Sequence, residues 1–267
     1  MRTLLDLMSL KGKVALITGG AGHLGFAIGE TFAEQGCNIA IMDKNAAECE
    51  RMAVDISERY GVRALAYPCD LESNEDLSSL PDQVFESLGS LDILVHAGAL
   101  VNAVEDAHWS VKQKDQSYDI WAKALQINLT SAFTLTQASV PLMKKGGYGS
   151  VIYIGSHYGL VGPDWSFYEN TDMGNAAGYA ASKAGLIQLA KWYATSLAPD
   201  IRVNTISPGG IFRGHQEPFL SKYISRTPMA RMGTEEDFKG AAIFLASELS
   251  AYVTGQNIVI DGGLTAM

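Results

Sequence analysis

Seven short, nearly continuous apolar runs punctuate the chain: VALIT (14–18), NIAIM (38–42), RALAY (63–67), DILVH (92–96), SVIYI (150–154), IRVNTIS (201–207) and NIVI (257–260). A strand with one solvated face alternates apolar and polar residues. Runs without alternation suit strands covered on both faces, as in a parallel sheet. Helical patterns fill the gaps at 24–35, 45–60, 73–88, 118–144, 178–198 and 234–246. That alternation predicts an α/β fold with a doubly wound, seven-stranded parallel sheet and helices on both faces. No repeat or low-complexity linker interrupts it, so residues 1–267 read as one domain. Loop insertions are expected near 99–117, 157–177 and 210–232, and long loops after strands frame a site in such folds.

Composition narrows the function classes. A formal charge of −9 argues against a nucleic-acid or anionic-membrane partner. Hydrophobic residues reach 47%, yet no apolar run is long enough to span a bilayer. The start, MRTLLDLMSLKGK, carries an acid in its short apolar stretch and makes a poor signal peptide. Cys37, Cys49 and Cys69 form neither a CxxC pair nor an even disulfide set, which suits a reducing cytoplasm. Five scattered histidines give no metal site to propose.

The first apolar run leads straight into TGGAGHLG (18–25) and then a helical pattern. Glycines there let the backbone turn tightly and approach a pyrophosphate, which then sits on the positive helix N-terminus. The second run ends at Asp43, 18 residues past Gly25. A carboxylate at that place accepts hydrogen bonds from the adenosine ribose hydroxyls and repels a 2′-phosphate. The neighbouring cation Lys44 would welcome that phosphate. NAD is the expected cofactor, with NADP the alternative.

Further motifs follow in order, and together they resemble the short-chain dehydrogenase/reductase family over almost the whole chain. The family's TGxxxGxG is matched by Thr18, Gly19 and Gly25, while His23 replaces the middle glycine and Gly22 stands one place earlier. CDL carries the acidic residue near the adenine onto Asp70, followed by Leu71. HAGA resembles the family's NNAG turn, with His96 for an asparagine and Ala97 and Gly98 kept. INLTSAF carries the helix asparagine onto Asn128, YIGSHYG the active-site serine onto Ser156, and YAASK the tyrosine and lysine onto Tyr179 and Lys183. NTISPGGI resembles the segment lining the nicotinamide, with Pro208, Gly209 and Ile211, and Arg213 replaces a hydroxyl residue. Cofactor contacts are therefore expected at Gly19, Gly22, His23, Leu24, Gly25, Asp43, Lys44, Asp70, Leu71, Ala97, Gly98, Tyr179, Lys183, Pro208, Gly209 and Ile211.

The resemblance implies an oxidoreductase that interconverts a secondary alcohol and a ketone, with Ser156, Tyr179, Lys183 and Asn128 as its catalytic set. Tyr179 and Lys183, four residues apart, share one helix face. A free tyrosine titrates near pH 10, and lowering it to about 7 needs roughly 4 kcal/mol of preferential phenolate stabilisation. A lysine ammonium and an oxidised nicotinamide ring are sources of that order. By resemblance, Lys183 also holds the nicotinamide ribose, Ser156 bonds the substrate oxygen, and Asn128 anchors a water leading to solvent. The family pairs through its long helices, so a homodimer or homotetramer is expected. A cofactor-binding sensor or structural subunit on the same fold is the rival reading. The intact Ser, Tyr, Lys and Asn positions speak against it.

The stretch between Ser156 and Tyr179, with GPDWSFYENTDMGNAAG, is longer than the family's usual spacing. With SPGGIFRGHQEPFLSKY it resembles a subgroup of surface-sugar or flagellin-modification and sugar-acid dehydrogenases. A carbohydrate-like substrate is expected, and 3-oxoacyl or other ketone reduction is the alternative. Trp165, Phe167 and Tyr168 are expected to present flat faces to a sugar ring. Met229, Met232, Phe219 and Tyr223 are expected to line a mobile substrate flap. His157 reads equally as a substrate contact or an exposed loop histidine; His108 and His215 have no partner at recognisable spacing. TEEDFKG (234–240) reads as a structural helix start.

Overall fold

A computed structural model describes residues 1–101 and 113–267 of the chain. The stretch 102–112, which includes His108 and most of the first expected loop, lies outside the described residues. In order, the elements are α1 (Leu4–Met8), β1 (Val14–Thr18), α2 (His23–Glu34), β2 (Asn38–Asp43), α3 (Ala46–Tyr60), β3 (Ala64–Pro68), α4 (Asn74–Leu88) and β4 (Ile93–His96). There follow α5 (Tyr118–Leu125), α6 (Ser131–Gly146), β5 (Ser150–Ile154), α7 (Ala177–Leu197), β6 (Arg202–Pro208), α8 (Phe219–Arg226), α9 (Glu236–Ala246) and β7 (Asn257–Ile260).

All seven strands pair in parallel, in the order β3-β2-β1-β4-β5-β6-β7. The strand residues divide by parity. Ala15 and Ile17 face Ile28 and Phe32 of α2, Ile56 of α3 and Phe238 of α9. Val14 and Leu16 face Leu77 and Val84 of α4, Leu135 and Met143 of α6, and Leu186 and Tyr193 of α7. Each Val, Leu, Ile, Phe or Met among them, fully buried, contributes about 1.5–3 kcal/mol of transfer free energy. Double coverage explains why the central runs do not alternate. The edges differ: β3 and β7 are only part-buried, and Val259 is 38% exposed.

Local signals set the helix limits. Asn45 and Ser73 cap α3 and α4 through the N–H groups of Glu48 and Asp76, and left-handed Gly61 and Gly89 end them. The strand order reverses between β1 and β4, which opens a crevice beyond their carboxyl ends. The site residues gather there.

Two features add to the sequence expectation. The long helix near 118–144 is present but contains a π turn, Gln126–Thr130, in which Ser131 donates back to Gln126. The segment expected to form the flap contains a helix, α8. Phe219 and Tyr223, one turn apart, are buried with Phe167 and Met232 in a small core of this segment. Met229 alone of that group stays largely exposed.

Candidate active site

The turn after β1 is built from backbone approaching backbone. Gly19 has φ +62°, and a Cβ there would lie 2.6 Å from Gly98 Cα. A Cβ on Gly25 would run into the Gly19 carbonyl. Gly98 donates its N–H to Thr18 Oγ1 at 3.0 Å, and the Leu71 side chain closes over it. The turns after β1 and β4 are thus locked together, with Leu71 as a cover. Gly22 is the N-cap of α2 and supplies no side-chain cap, leaving the first-turn N–H groups of His23, Leu24 and Gly25 for an incoming acceptor. Gly22 therefore takes the place beside the missing middle glycine. The exposed His23 ring turns away, 3.9 Å from Glu235.

Asp43 ends β2 half-buried, and its Oδ1 accepts the Asn45 N–H at 3.2 Å. The other carboxylate oxygen has no partner among the hydrogen bonds of the described residues. Lys44 is exposed. Asp70 is also exposed and accepts the Glu72 N–H at 3.0 Å, closing its own turn, while Ala97 packs against the core. A bare helix N-terminus, a contact-tight glycine turn and a free carboxylate oxygen at the end of β2 fit a dinucleotide with unmodified ribose hydroxyls.

The reacting groups sit across the crevice. Lys183 is 2% exposed, and its Nζ donates to the Ile154 carbonyl at 2.7 Å, 5.7 Å from the centre of the Tyr179 ring. Burial pulls the Lys183 ammonium down to about 7. Burial pushes the Tyr179 phenol above its ordinary value, and a hydrogen bond with Ser156 opposes that shift. Ser156 follows β5, is buried, and accepts the Tyr158 N–H at 3.2 Å. Asn128 lies in the π turn: its Oδ1 accepts the Leu100 N–H at 2.7 Å and its Nδ2 donates to Ser182 Oγ at 3.0 Å. Ser182 in turn donates to the Tyr179 carbonyl at 2.7 Å. All four expected catalytic residues are brought together.

The segment after β6 is pinned from several sides. His157 Nδ1 bonds the Pro208 carbonyl at 3.2 Å, Gly209 donates to Ile260 at 2.8 Å, and Gly210 donates to the Tyr223 hydroxyl. Ile211 bridges to Gly233. His157 is buried, not an exposed loop residue, and burial holds it below its usual titration range. His215 accepts the Arg213 N–H and stacks on Phe219, and Arg213 pairs with Glu235 at 2.7 Å. Tyr223 and His157 were missed as supports of this segment; the i, i+4 pair Phe219/Tyr223 was the one sequence signal for α8. In the TEEDFKG start, Asp237 accepts from Thr234 and from both Arg231 Nη atoms, as a structural cap.

The family model for enoyl-(acyl carrier protein) reductase matches residues 19–265. The chain belongs to the short-chain dehydrogenase/reductase family. This short-chain dehydrogenase/reductase is 35% identical over 264 residues to sorbose reductase sou1 of Schizosaccharomyces pombe, covering 97% of this chain and 98% of that protein. It is 33% identical to the NADP-dependent mannitol dehydrogenase of Hypocrea jecorina, covering 98% and 96%. The crystal structure of NADPH-dependent 3-quinuclidinone reductase from Rhodotorula rubra superposes with a TM-score of 0.88 at 28% identity, over 100% of this chain and 96% of that one. The chain is accordingly an NAD(P)-dependent oxidoreductase of the alcohol/ketone class. No helix of the described residues is long and apolar enough to cross a membrane.

Proposed function

We propose that the chain interconverts a secondary alcohol and a ketone on a carbohydrate-like substrate, with NAD preferred. The observation that carries this reading is the Ser156–Tyr179–Lys183 cluster facing a contact-tight glycine cradle. A bound nicotinamide supplies the hydride donor or acceptor. Gly19, Gly22 and the first-turn N–H groups of α2 would hold the pyrophosphate, Asp43 the adenosine ribose, Leu71 and Gly98 the adenine side, and Lys183 with Pro208–Ile211 the nicotinamide end.

The protein's own groups handle orientation and the proton. Ser156 Oγ, held by Tyr158 N–H, bonds the substrate oxygen. Tyr179 gives its phenolic proton to that oxygen in reduction and takes it back in oxidation. Burial drives Tyr179 and Lys183 towards their neutral forms. A positive charge brought into so desolvated a pocket therefore acts strongly on the phenol. Asn128 positions the Tyr179 backbone through Ser182, and its Oδ1 ties that link to the Leu100 N–H after β4.

A sugar-like substrate is supported by the names of the sorbose reductase and mannitol dehydrogenase relatives, and by the resemblance of the insertion to surface-sugar and sugar-acid enzymes. Asp43 supports NAD, whereas the mannitol and quinuclidinone relatives use the phosphorylated cofactor. Three free thiols, two of them buried, suit the cytoplasm, and the long helices suit a dimer or tetramer. The test is a screen of ketoses, polyols, sugar acids, simple ketones and 3-oxoacyl thioesters against NAD(H) and NADP(H), read by nicotinamide absorbance. Turnover confined to 3-oxoacyl thioesters refutes the carbohydrate reading. Cofactor binding without turnover of any substrate leaves the sensor reading standing.

A further inference from the structure

The insertion between Ser156 and α7 is anchored from beneath. Phe167 is 2% exposed and packs 5.4 Å from Tyr223 and 6.4 Å from Phe219, ring centre to ring centre. Lys222 Nζ donates to the carbonyls of Ser166 at 2.7 Å and Glu169 at 2.9 Å. Asp164 accepts the Ser166 N–H at 3.0 Å and lies 3.5 Å from Arg226. Of the three aromatics expected to face a ligand, Phe167 is thus spent on architecture. Trp165 is 54% exposed, and Tyr168 is half-buried.

Tyr168 has a different environment. Its hydroxyl lies 2.6 Å from the Tyr158 hydroxyl, and the buried Asn175, 8% exposed, comes close to it from the far end of the insertion. Tyr158 is the residue whose N–H holds Ser156 Oγ. Tyr168 is near enough to Tyr179 to oppose its ionisation. A polar row, Asn175–Tyr168–Tyr158, therefore borders the pair that binds the reacting oxygen. Each phenol has one proton, and their mutual bond consumes only one of the two. The row keeps both a donor and acceptor lone pairs for one more polar group beside the reaction centre.

We propose that Tyr168, with Asn175 and Tyr158, forms a hydroxyl-recognition subsite that selects ketones bearing a hydroxyl on the carbon next to the carbonyl, and the corresponding vicinal polyols. This rests on the alcohol/ketone reading of Ser156 and Tyr179 and narrows its substrate class. A simple ketone leaves the row without its partner, and a site built to bond a substrate hydroxyl discriminates strongly against the analogue that lacks it. Chain length is immaterial to this contact, so a small α-hydroxy ketone reports it as well as a ketose.

The experiment compares 2-hydroxycyclohexanone with cyclohexanone, which differ by that one hydroxyl, using wild type, Tyr168→Phe and Asn175→Ala with NADH and NADPH. Wild type is expected to favour the hydroxylated ketone by about tenfold or more in kcat/KM, the scale of one well-made hydrogen bond. Tyr168→Phe keeps the ring packing and should bring that ratio to within about twofold, because the hydroxylated ketone loses far more than the plain one. Asn175→Ala should shift the ratio the same way, with NADH binding unchanged. A wild-type ratio near one overturns the subsite, as does an equal loss on both ketones in Tyr168→Phe. Failure of wild type to reduce either ketone, or any in the wider screen, instead sinks the catalytic reading beneath it.

Discussion

Lys183 Nζ donates to the Ile154 carbonyl at 2.7 Å, so the catalytic helix α7 is tied by an ionisable group to the last residue of β5. Burial brings that lysine from 10.5 to about 7. Between pH 7 and about 10, the unfolded chain therefore holds a proton that the folded chain has released. Folding stability should rise with pH across that window and be lowest at or below pH 7. From about pH 7.5 to 9.5 the gain from this group is at most about 2.7 kcal/mol. Urea unfolding of wild type and Lys183→Met checks it. An equal pH slope in both proteins would assign the effect to other groups.

Tyr179→Phe should retain NADH binding and lose at least a hundredfold in turnover, the low end of general acid–base contributions. Fluorescence titration measures the first and steady-state rates the second. Near-wild-type turnover would be fatal to the proton role.

Asp43→Ala should weaken NAD and raise relative use of NADP, because the carboxylate that repels a 2′-phosphate is gone. Lys44→Ala should leave NAD affinity nearly unchanged, since its side chain is exposed. A wild-type enzyme preferring NADP tenfold would show that Lys44 outweighs Asp43.

Phe167→Ala should cost about 3 kcal/mol or more, the usual penalty for emptying a buried phenylalanine site. Its cavity opens between the insertion and α8, so kcat/KM should fall while NADH affinity, set at the other end of the crevice, holds. Thermal melting and NADH titration separate the two effects. Unchanged melting would mean that the insertion is not anchored through this ring.

The strands were legible because burial on both faces writes itself as an uninterrupted apolar run, and the glycine turn because only glycine permits the Gly19–Gly98 and Gly25–Gly19 approaches. Asn128 was reached only through resemblance. A π turn shifts the helical phase by a single residue, which leaves the amphipathic pattern of 118–146 readable as one helix. Phe167 and Tyr168 are adjacent and chemically alike, and composition does not say which turns inward; α8 decides it, since Phe219 and Tyr223 both pack on Phe167 while Tyr168 meets Phe219 alone of the two. His157 was ambiguous for the same reason. Its partner, the Pro208 carbonyl, is brought near only by the pairing of β5 with β6.

The reversal of strand order between β1 and β4 has an evolutionary corollary. Gly19, Asp43, Leu71 and Gly98 all precede β5, whereas Ser156, Tyr168, Asn175 and the Pro208 segment all follow it. The glycine-turn wall and the substrate-loop wall of the crevice are thus inherited from separate stretches of chain, joined by the β4–β5 pairing and by the packing of α7 on α5 and of α9 on α2. Lineages of such a chain can therefore reshape the loops after β5 to suit a new diet, provided that Lys183 and the Pro208–Ile211 segment stay fixed for the nicotinamide.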